Sequence, residues 1–226
     1  MKVFQPKKFV VATLSFLIAI LSSFSWGSAI ENIVLPQPDT RGRLSVEEVL
    51  NTSRPRSEYG GAVLKLKDLS QLLWSTKITP NVWDGRITID SARVEYPMEV
   101  YVVVGDVEGV KPGTYHYIPT THSLVMTSKR DVRRDLAKAT FDQKALARAP
   151  ITIVISAFFS PTIRSYGIRG TRYVYIEAGR MGQNIYLQAE ALNLSAGAVG
   201  AFDDRKVKEI LGIKAEPLIL YPVAGR

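Results

Sequence analysis

Three segments of the sequence carry what a planar, phosphorylated ligand needs: positive charge, hydroxyl groups, and glycines beside which a ring can lie. The first is Ser53–Ser57, in which Arg54 and Arg56 alternate with Ser, Pro and Ser. The planar guanidinium of arginine matches phosphate oxygens, so two such residues near a helix end can bind one phosphate through charge-assisted hydrogen bonds. The same residue types also suit a solvated turn, and the segment alone fits both interpretations.

The other two segments lie near the end of the sequence. Leu194–Phe202 is built almost entirely from Gly, Ala, Ser and Val, so it leaves room beside the backbone. Either a ligand or a closely packed helix can use that room, and the composition does not separate the two. The third segment, Val223–Arg226, ends a predicted strand with an arginine, which by itself is only a charged tail.

Several classes of chemistry are excluded or disfavoured by what the sequence lacks. It has no cysteine, which excludes disulfides, iron–sulfur clusters and cysteine nucleophiles. The only two histidines, His116 and His122, are predicted to lie in a hairpin rather than in a metal site. No nucleophile elbow, phosphate-binding loop or zinc-protease motif occurs. The net charge of +8 is spread without a Lys/Arg block, so no nucleic-acid interface is predicted.

Hydrophobic periodicity and turn residues predict helices and strands that alternate along the chain. The order mixes helices and strands throughout, with no repeats and no second domain, and the small-residue segment follows the longest helix. The predicted helices are Val46–Asn51, Leu64–Thr76, Val132–Arg148, about Arg172–Asn193, and a last one capped by Asp203 and ending at Leu211. The predicted strands are Met98–Val104, Thr114–Ile118, Ser123–Met126, Ile151–Phe158, a strand and turn over Ser195–Phe202, and Leu218–Val223.

The first 29 residues have the composition of an export signal. Lys2, Lys7 and Lys8 precede the uncharged run 9–24, and Gly27-Ser28-Ala29 supplies small residues for cleavage. The run is shorter than the ~20 residues that cross a bilayer, so a cleaved signal is favoured over a retained anchor. We therefore expect residues 1–29 to direct export, 30–43 to form an extended leader, and 44–226 to form the domain.

The order of these segments resembles the nitroreductase superfamily, and within it the SagB-type dehydrogenases related to azoline oxidases. The resemblance covers about residues 44–226. Its most specific parts are Leu69–Trp74, Tyr96–Gly105, Gly113–Tyr117, Arg172–Asn184, Gly197–Asp204 and Gly225-Arg226. It implies an α+β fold in which helices flank a mostly antiparallel sheet, and a homodimer that binds FMN at the subunit interface. It also implies ping-pong transfer of reducing equivalents to a small-molecule substrate.

Carried over by position, the resemblance also implies the cofactor-binding residues. The FMN phosphate would be held by Arg54 and Arg226, with Arg56 in a shifted position of the same motif. Ser91 would contact the cofactor. The backbone amides around Val199, Gly200 and Ala201 would face the flavin ring.

Departures from the family pattern keep other functions open. In the azoline oxidases a Lys-Tyr pair is tied to catalysis, whereas Ser165-Tyr166 keeps only Tyr166 as a candidate catalytic residue. Azoline oxidation by that pair is therefore disfavoured. Arg93 and Glu95 put charges where small or apolar residues normally flank the flavin, so a non-catalytic ligand-binding protein is the alternative to an enzyme.

Overall fold

The fold is built on strands whose side chains alternate between two hydrophobic clusters. The computed structural model describes residues 32–54, 63–76, 96–141 and 143–226. In Met98–Val104, Val102 and Val104 point into one cluster and Val103 into the other. Ile151–Ala157 is buried at every residue because both faces of this strand are covered. This explains why the two strands are almost purely apolar in sequence.

Seven strands form one sheet in which every adjacent pair is antiparallel. Their order across the sheet is β1-β4-β3-β2-β5-β7-β6. The strands are β1 Asn32–Val34, β2 Met98–Val104, β3 Gly113–Ile118, β4 Ser123–Ser128, β5 Ile151–Ala157, β6 Leu194–Ala196 and β7 Glu216–Gly225. The predicted α+β fold, with helices flanking a mostly antiparallel sheet, is confirmed.

Helices cover both faces of the sheet. The helices are α1 Val46–Thr52, α2 Leu66–Ser75, α3 Arg133–Ala139, α4 Lys144–Arg148, α5 Phe159–Tyr166, α6 Arg169–Ala191 and α7 Asp204–Leu211. The larger cluster joins α2 and α6 to one face, and the smaller joins α3, α4 and α7 to the other. Residues 32–226 make one compact unit around these two layers of core.

Local signals position several helix ends as predicted. Ser45 caps α1 by accepting a hydrogen bond from the Glu48 backbone, and the Glu48 carboxylate accepts one from the Ser45 backbone. Asp203 caps α7, and Gly212 ends it in the left-handed conformation that favours glycine.

Three element predictions are corrected by the structure. The helix predicted over Val132–Arg148 is two helices, because the chain turns at Thr140 and Phe141 has a φ of +54°. In the strand and turn predicted over Ser195–Phe202, the strand is only β6, which begins at Leu194 and ends at Ala196, and an isolated bridge follows at Val199. Helix α5, with a proline in its first turn, was not predicted at all.

The beginning of the described chain is attached to the sheet. Within the predicted leader, β1 pairs with β4, and the Leu35 N–H donates to the His122 carbonyl at 3.0 Å. In the described ranges, no helix combines the length and apolar character needed to span a bilayer. The predicted export signal lies outside these ranges.

Candidate functional site

The small-residue segment and the C-terminus are neighbours in the structure. β6 lies antiparallel to the end of β7, with Leu194 opposite Gly225 and Ala196 opposite Val223. The chain then continues along β7 to Val199, which bridges to Leu220. Ser195 and Ala196 are buried, so their small side chains allow close packing at this edge of the sheet. Two of the three predicted ligand-binding segments therefore form one strand edge.

The backbone at this edge is partly committed to the sheet. The Val199 N–H donates to the Leu220 carbonyl at 2.8 Å, and the Leu220 N–H donates to the Val199 carbonyl at 3.0 Å. The N–H of Val199 is thus not free to donate to a ligand. Gly200 and Ala201 are exposed, and apart from the two chain neighbours of Gly200 no heavy atom of the described residues lies within 4 Å of the point where a Cβ on Gly200 would be. A flat group can therefore approach the backbone closely at Gly200, as the flavin interpretation requires.

Arg226 is fixed at the other end of the same edge. Its Nη2 forms an ion pair with the Glu190 carboxylate, and its Nη1 donates to Asn193 Oδ1 at 3.0 Å. The Glu190 side chain is only 8% exposed, whereas the Arg226 side chain is 23% exposed. Solvent therefore reaches the Arg226 side chain, while its carboxylate partner is buried. Gly200 and Arg226 are roughly 20 Å apart along the strand, from the rise per residue in an antiparallel sheet. A ligand that contacts both must be extended.

The first predicted segment is described only in part. Arg54 follows α1, is exposed, and donates from Nη1 to the Ser53 carbonyl at 2.7 Å. The Ser53 hydroxyl is buried and lacks a hydrogen-bond partner within the described ranges, so a polar ligand atom could satisfy it. Helix α1 packs against α6, the helix that also carries Glu190. Arg56 and Ser91 lie outside the described residues.

Tyr166 lies at the opposite end of α6 from Arg226. It is the last residue of α5, and its ring packs edge-on against Tyr173, with centroids 5.1 Å apart. Tyr173 and Glu190 are about 25 Å apart along α6 at a helical rise of 1.5 Å per residue. Within a single chain, therefore, Tyr166, the predicted catalytic residue, does not lie near Arg226, which is predicted to bind the phosphate.

A buried polar cluster on α6 was not predicted as a unit. Glu177 is 4% exposed and accepts a hydrogen bond from the Tyr96 hydroxyl at 2.5 Å and one from Arg180 Nε at 3.0 Å. Burial, with the Glu177 carboxylate beside the hydroxyl, raises the pKa of Tyr96 far above its usual value. The hydrogen bonds to Glu177 likewise raise the pKa of Arg180. Tyr96 therefore stays protonated, and the cluster joins the start of β2 to α6.

Glu190 and Asn193 were also missed as functional candidates. The sequence did contain one signal for Glu190: it is an acidic residue on the apolar side of a long helix. A buried carboxylate requires a partner, so its position indicated that a partner must lie nearby. Its partner is 36 residues further along the sequence, so periodicity within the helix could not identify it.

Comparison with known proteins agrees with this architecture. Residues 58–226 match the family described as the nitroreductase family. The chain is 43% identical over 185 residues to the nitroreductase-like protein MJ1384 of Methanocaldococcus jannaschii, covering 81% of this chain and 92% of that protein. It is 24% identical to the microcin B17-processing protein McbC of Escherichia coli, covering 80% of this chain and 70% of McbC.

The fold comparison extends to solved structures. A nitroreductase-like protein from Anabaena variabilis superimposes with a TM-score of 0.76 at 26% identity, over 87% of this chain. The match spans only 42% of the Anabaena chain. McbC, in the McbBCD complex with bound pro-microcin, superimposes with a TM-score of 0.64 over 96% of this chain and 92% of McbC. On the extent of the family match and the identity to MJ1384, this chain belongs to the nitroreductase family.

Proposed function

We propose that this protein is an FMN-dependent oxidoreductase that passes reducing equivalents from a reduced donor to a small organic acceptor by a ping-pong mechanism. Membership of the nitroreductase family supports an oxidoreductase role, and members of the family generally use FMN. The observation that carries the proposal is the strand edge of β6 and β7. It has an accessible glycine at one end and an oriented guanidinium at the other.

The residues of this chain would position the cofactor, and the flavin itself would carry out the redox chemistry. When bound, the flavin supplies a ring that accepts a hydride and later gives it up. Arg226 would hold the phosphate through the N–H groups that no described residue accepts from, and the open space beside Gly200 would admit the ring. Arg54 is a second candidate for the phosphate, and the Ser53 hydroxyl next to it has no hydrogen-bond partner among the described residues.

A homodimer would complete the site. Tyr166 and Arg226 lie at opposite ends of α6, but two copies of α6 packed antiparallel across a two-fold axis would bring Tyr166 of one copy near the Arg226 end of the other. Exposed apolar side chains at the beginning of α6 favour such a contact: Ile168, which directly precedes the helix, is 91% exposed, and Ile176 is 60% exposed. We therefore place the proposed cofactor site between two subunits.

The McbC likeness is compatible with the SagB-type subfamily, which we retain as the proposed subgroup.

We also propose that residues 1–29 direct export, which mass spectrometry of the protein recovered from expressing cells would test. Cleavage after Ala29 is expected. An intact N-terminus on protein in the cytoplasm would contradict export.

Flavin content tests the main proposal. The protein lacking residues 1–29 should purify yellow or bind added FMN stoichiometrically, and the bound flavin should be reduced by a nicotinamide or other donor and reoxidised by a quinone or nitroaromatic. Colourless protein that takes up no FMN would refute the proposal. Stoichiometric FMN without turnover of any acceptor would favour the alternative, a ligand-binding protein.

A further inference from the structure

The unusual feature of the C-terminus is that its last side chain is tied to the end of the longest helix. Terminal residues are ordinarily mobile unless they are attached to something. Here Arg226 contacts Glu190 in the last turn of α6 and Asn193 just beyond it. Both contacts are made by the guanidinium rather than by the backbone. These two contacts give the Arg226 guanidinium a defined place.

Asn193 is suited to this contact by its backbone. It has a φ of +57°, in the left-handed region where asparagine and glycine are the favoured residues after a helix. Its N–H donates to the Glu190 carbonyl at 3.0 Å, which fixes the turn on the same residue that pairs with Arg226. One short segment therefore supplies both acceptors for the guanidinium in a fixed relation to each other.

Glu190 determines which side of the Arg226 guanidinium faces the protein interior. A carboxylate that is 8% exposed must be paired, so Glu190 holds the inner side of the guanidinium. The two contacts use two of the five N–H donors of arginine, and within the described parts of the chain the other three have no hydrogen bond. The remaining donors belong to a side chain that solvent can reach, in a geometry that suits a phosphate.

We infer that Glu190 and Asn193 are positioning residues that orient Arg226 toward the phosphate of the bound cofactor. This inference rests on the proposed function. The ordering of the arginine side chain is completed during folding, so a phosphate that binds it does not have to supply that ordering. Because the Glu190 carboxylate offsets the charge of Arg226, the pair has little net charge. Preference for a phosphorylated ligand therefore depends more on the orientation of the Arg226 N–H donors than on the charge of the site.

The test compares FMN with riboflavin, which has the same ring and no phosphate. Dissociation constants for both are measured on the flavin-free protein by quenching of flavin fluorescence. The ratio of the two constants isolates the phosphate, because a general loss of stability affects both ligands alike. The wild-type protein is expected to prefer FMN.

Two variants remove the positioning contacts, and one keeps them. Asn193→Gly deletes the amide acceptor but preserves a residue that tolerates positive φ. Glu190→Ala deletes the inner partner, whereas Glu190→Gln keeps an oxygen that can accept from Arg226. We expect the FMN preference to fall about tenfold in N193G and E190A, as for other residues that support a binding group, and to persist in E190Q.

The outcomes separate the inference from the proposed function. If the wild-type protein prefers FMN and both N193G and E190A keep that preference, the positioning inference is wrong and the proposed function stands. Equal affinity of the wild-type protein for FMN and riboflavin would also overturn the inference, because Arg226 would then not bind the phosphate. Failure to bind either flavin would overturn both.

Discussion

At the scale of single residues, the approach of α6 to the sheet depends on a missing side chain. A Cβ on Gly182 would lie 2.1 Å from the Tyr221 hydroxyl and 2.7 Å from its Cζ. Tyr221 belongs to β7 and is buried in the larger core cluster. The aromatic ring thus occupies the volume that any other residue at 182 would need, and β7, which ends directly before Arg226, is packed on the helix.

We expect Gly182→Ala to lower the free energy of unfolding by about 1–3 kcal/mol, because overpacking outweighs the ~1 kcal/mol that alanine gains in a helix. Urea unfolding at neutral pH measures the change. Adding Tyr221→Phe should recover part of the loss, since the closest atom is the hydroxyl. An unchanged or increased stability of G182A would show that this contact is not close.

At the scale of elements, His122 joins three parts of the fold. Its Nε2 lies 2.8 Å from the Ser70 hydroxyl of α2 and 3.1 Å from the Pro36 carbonyl, and its Nδ1 lies 2.9 Å from the Tyr117 hydroxyl of β3. Gln71 adds a second attachment, because its side chain donates to the Asp39 carbonyl at 2.9 Å and accepts from the Asp39 N–H at 2.8 Å. Residues 35–39 are thus held to α2 and the β3–β4 hairpin.

This attachment makes stability depend on pH. Burial lowers the pKa of His122, and the hydrogen bond to Pro36 only partly opposes it. The unfolded chain therefore binds a proton first as pH falls through the ordinary histidine value of 6.5. Stability from this residue is present above that value and declines below it, by at most ~1.4 kcal/mol per pH unit.

Unfolding of the wild-type protein and of His122→Gln between pH 7.5 and 5 would measure the His122 contribution. We expect a decline in the wild-type protein that is smaller in the variant. This range lies above the ordinary pKa of carboxylates, which limits their contribution. Parallel pH profiles for the two proteins would argue against a histidine buried in its neutral form.

At the scale of the whole molecule, the distances along α6 require a partner if all the proposed site residues serve one cofactor. Tyr166 packs at the beginning of the helix and Arg226 at its end, about 25 Å away. Ile168, Tyr175 and Ile176 form an exposed apolar face near the beginning of α6. Burying this face against a second copy would remove it from water and bring opposite ends of two helices together.

Ile176→Asp should therefore convert the proposed dimer to a monomer and weaken FMN binding at least tenfold, because it puts an unpaired charge into the proposed interface. Sedimentation velocity and the FMN titration measure the two effects. Val34→Asp is the matched control: Val34 is 72% exposed on β1, away from α6, and its substitution should change neither. A wild-type monomer that binds FMN tightly would contradict the two-subunit site.

Much of the local structure could be predicted from the sequence because its causes are local. The strand Met98–Val104 was predicted with the observed bounds. The side chains of Ser45 and Asp203 each cap a helix by accepting a hydrogen bond from the backbone N–H three residues further along the chain. The long helix was predicted to begin near Arg172 but begins at Arg169. Its first turn lies where Gly170 packs against the Thr162 backbone of α5, a contact that a helical pattern does not encode.

By itself, the sequence indicated the family and most of the order of helices and strands, and it predicted three segments as ligand-binding. Family motifs, helix caps and hydrophobic periodicity are properties of residues close together in the chain. Only the tertiary structure decided that β6 lies beside the end of β7, that Glu190 and Asn193 hold Arg226, and that Tyr166 is a helix length away. These relations join residues far apart in the chain, so they depend on how the sheet and the long helix pack.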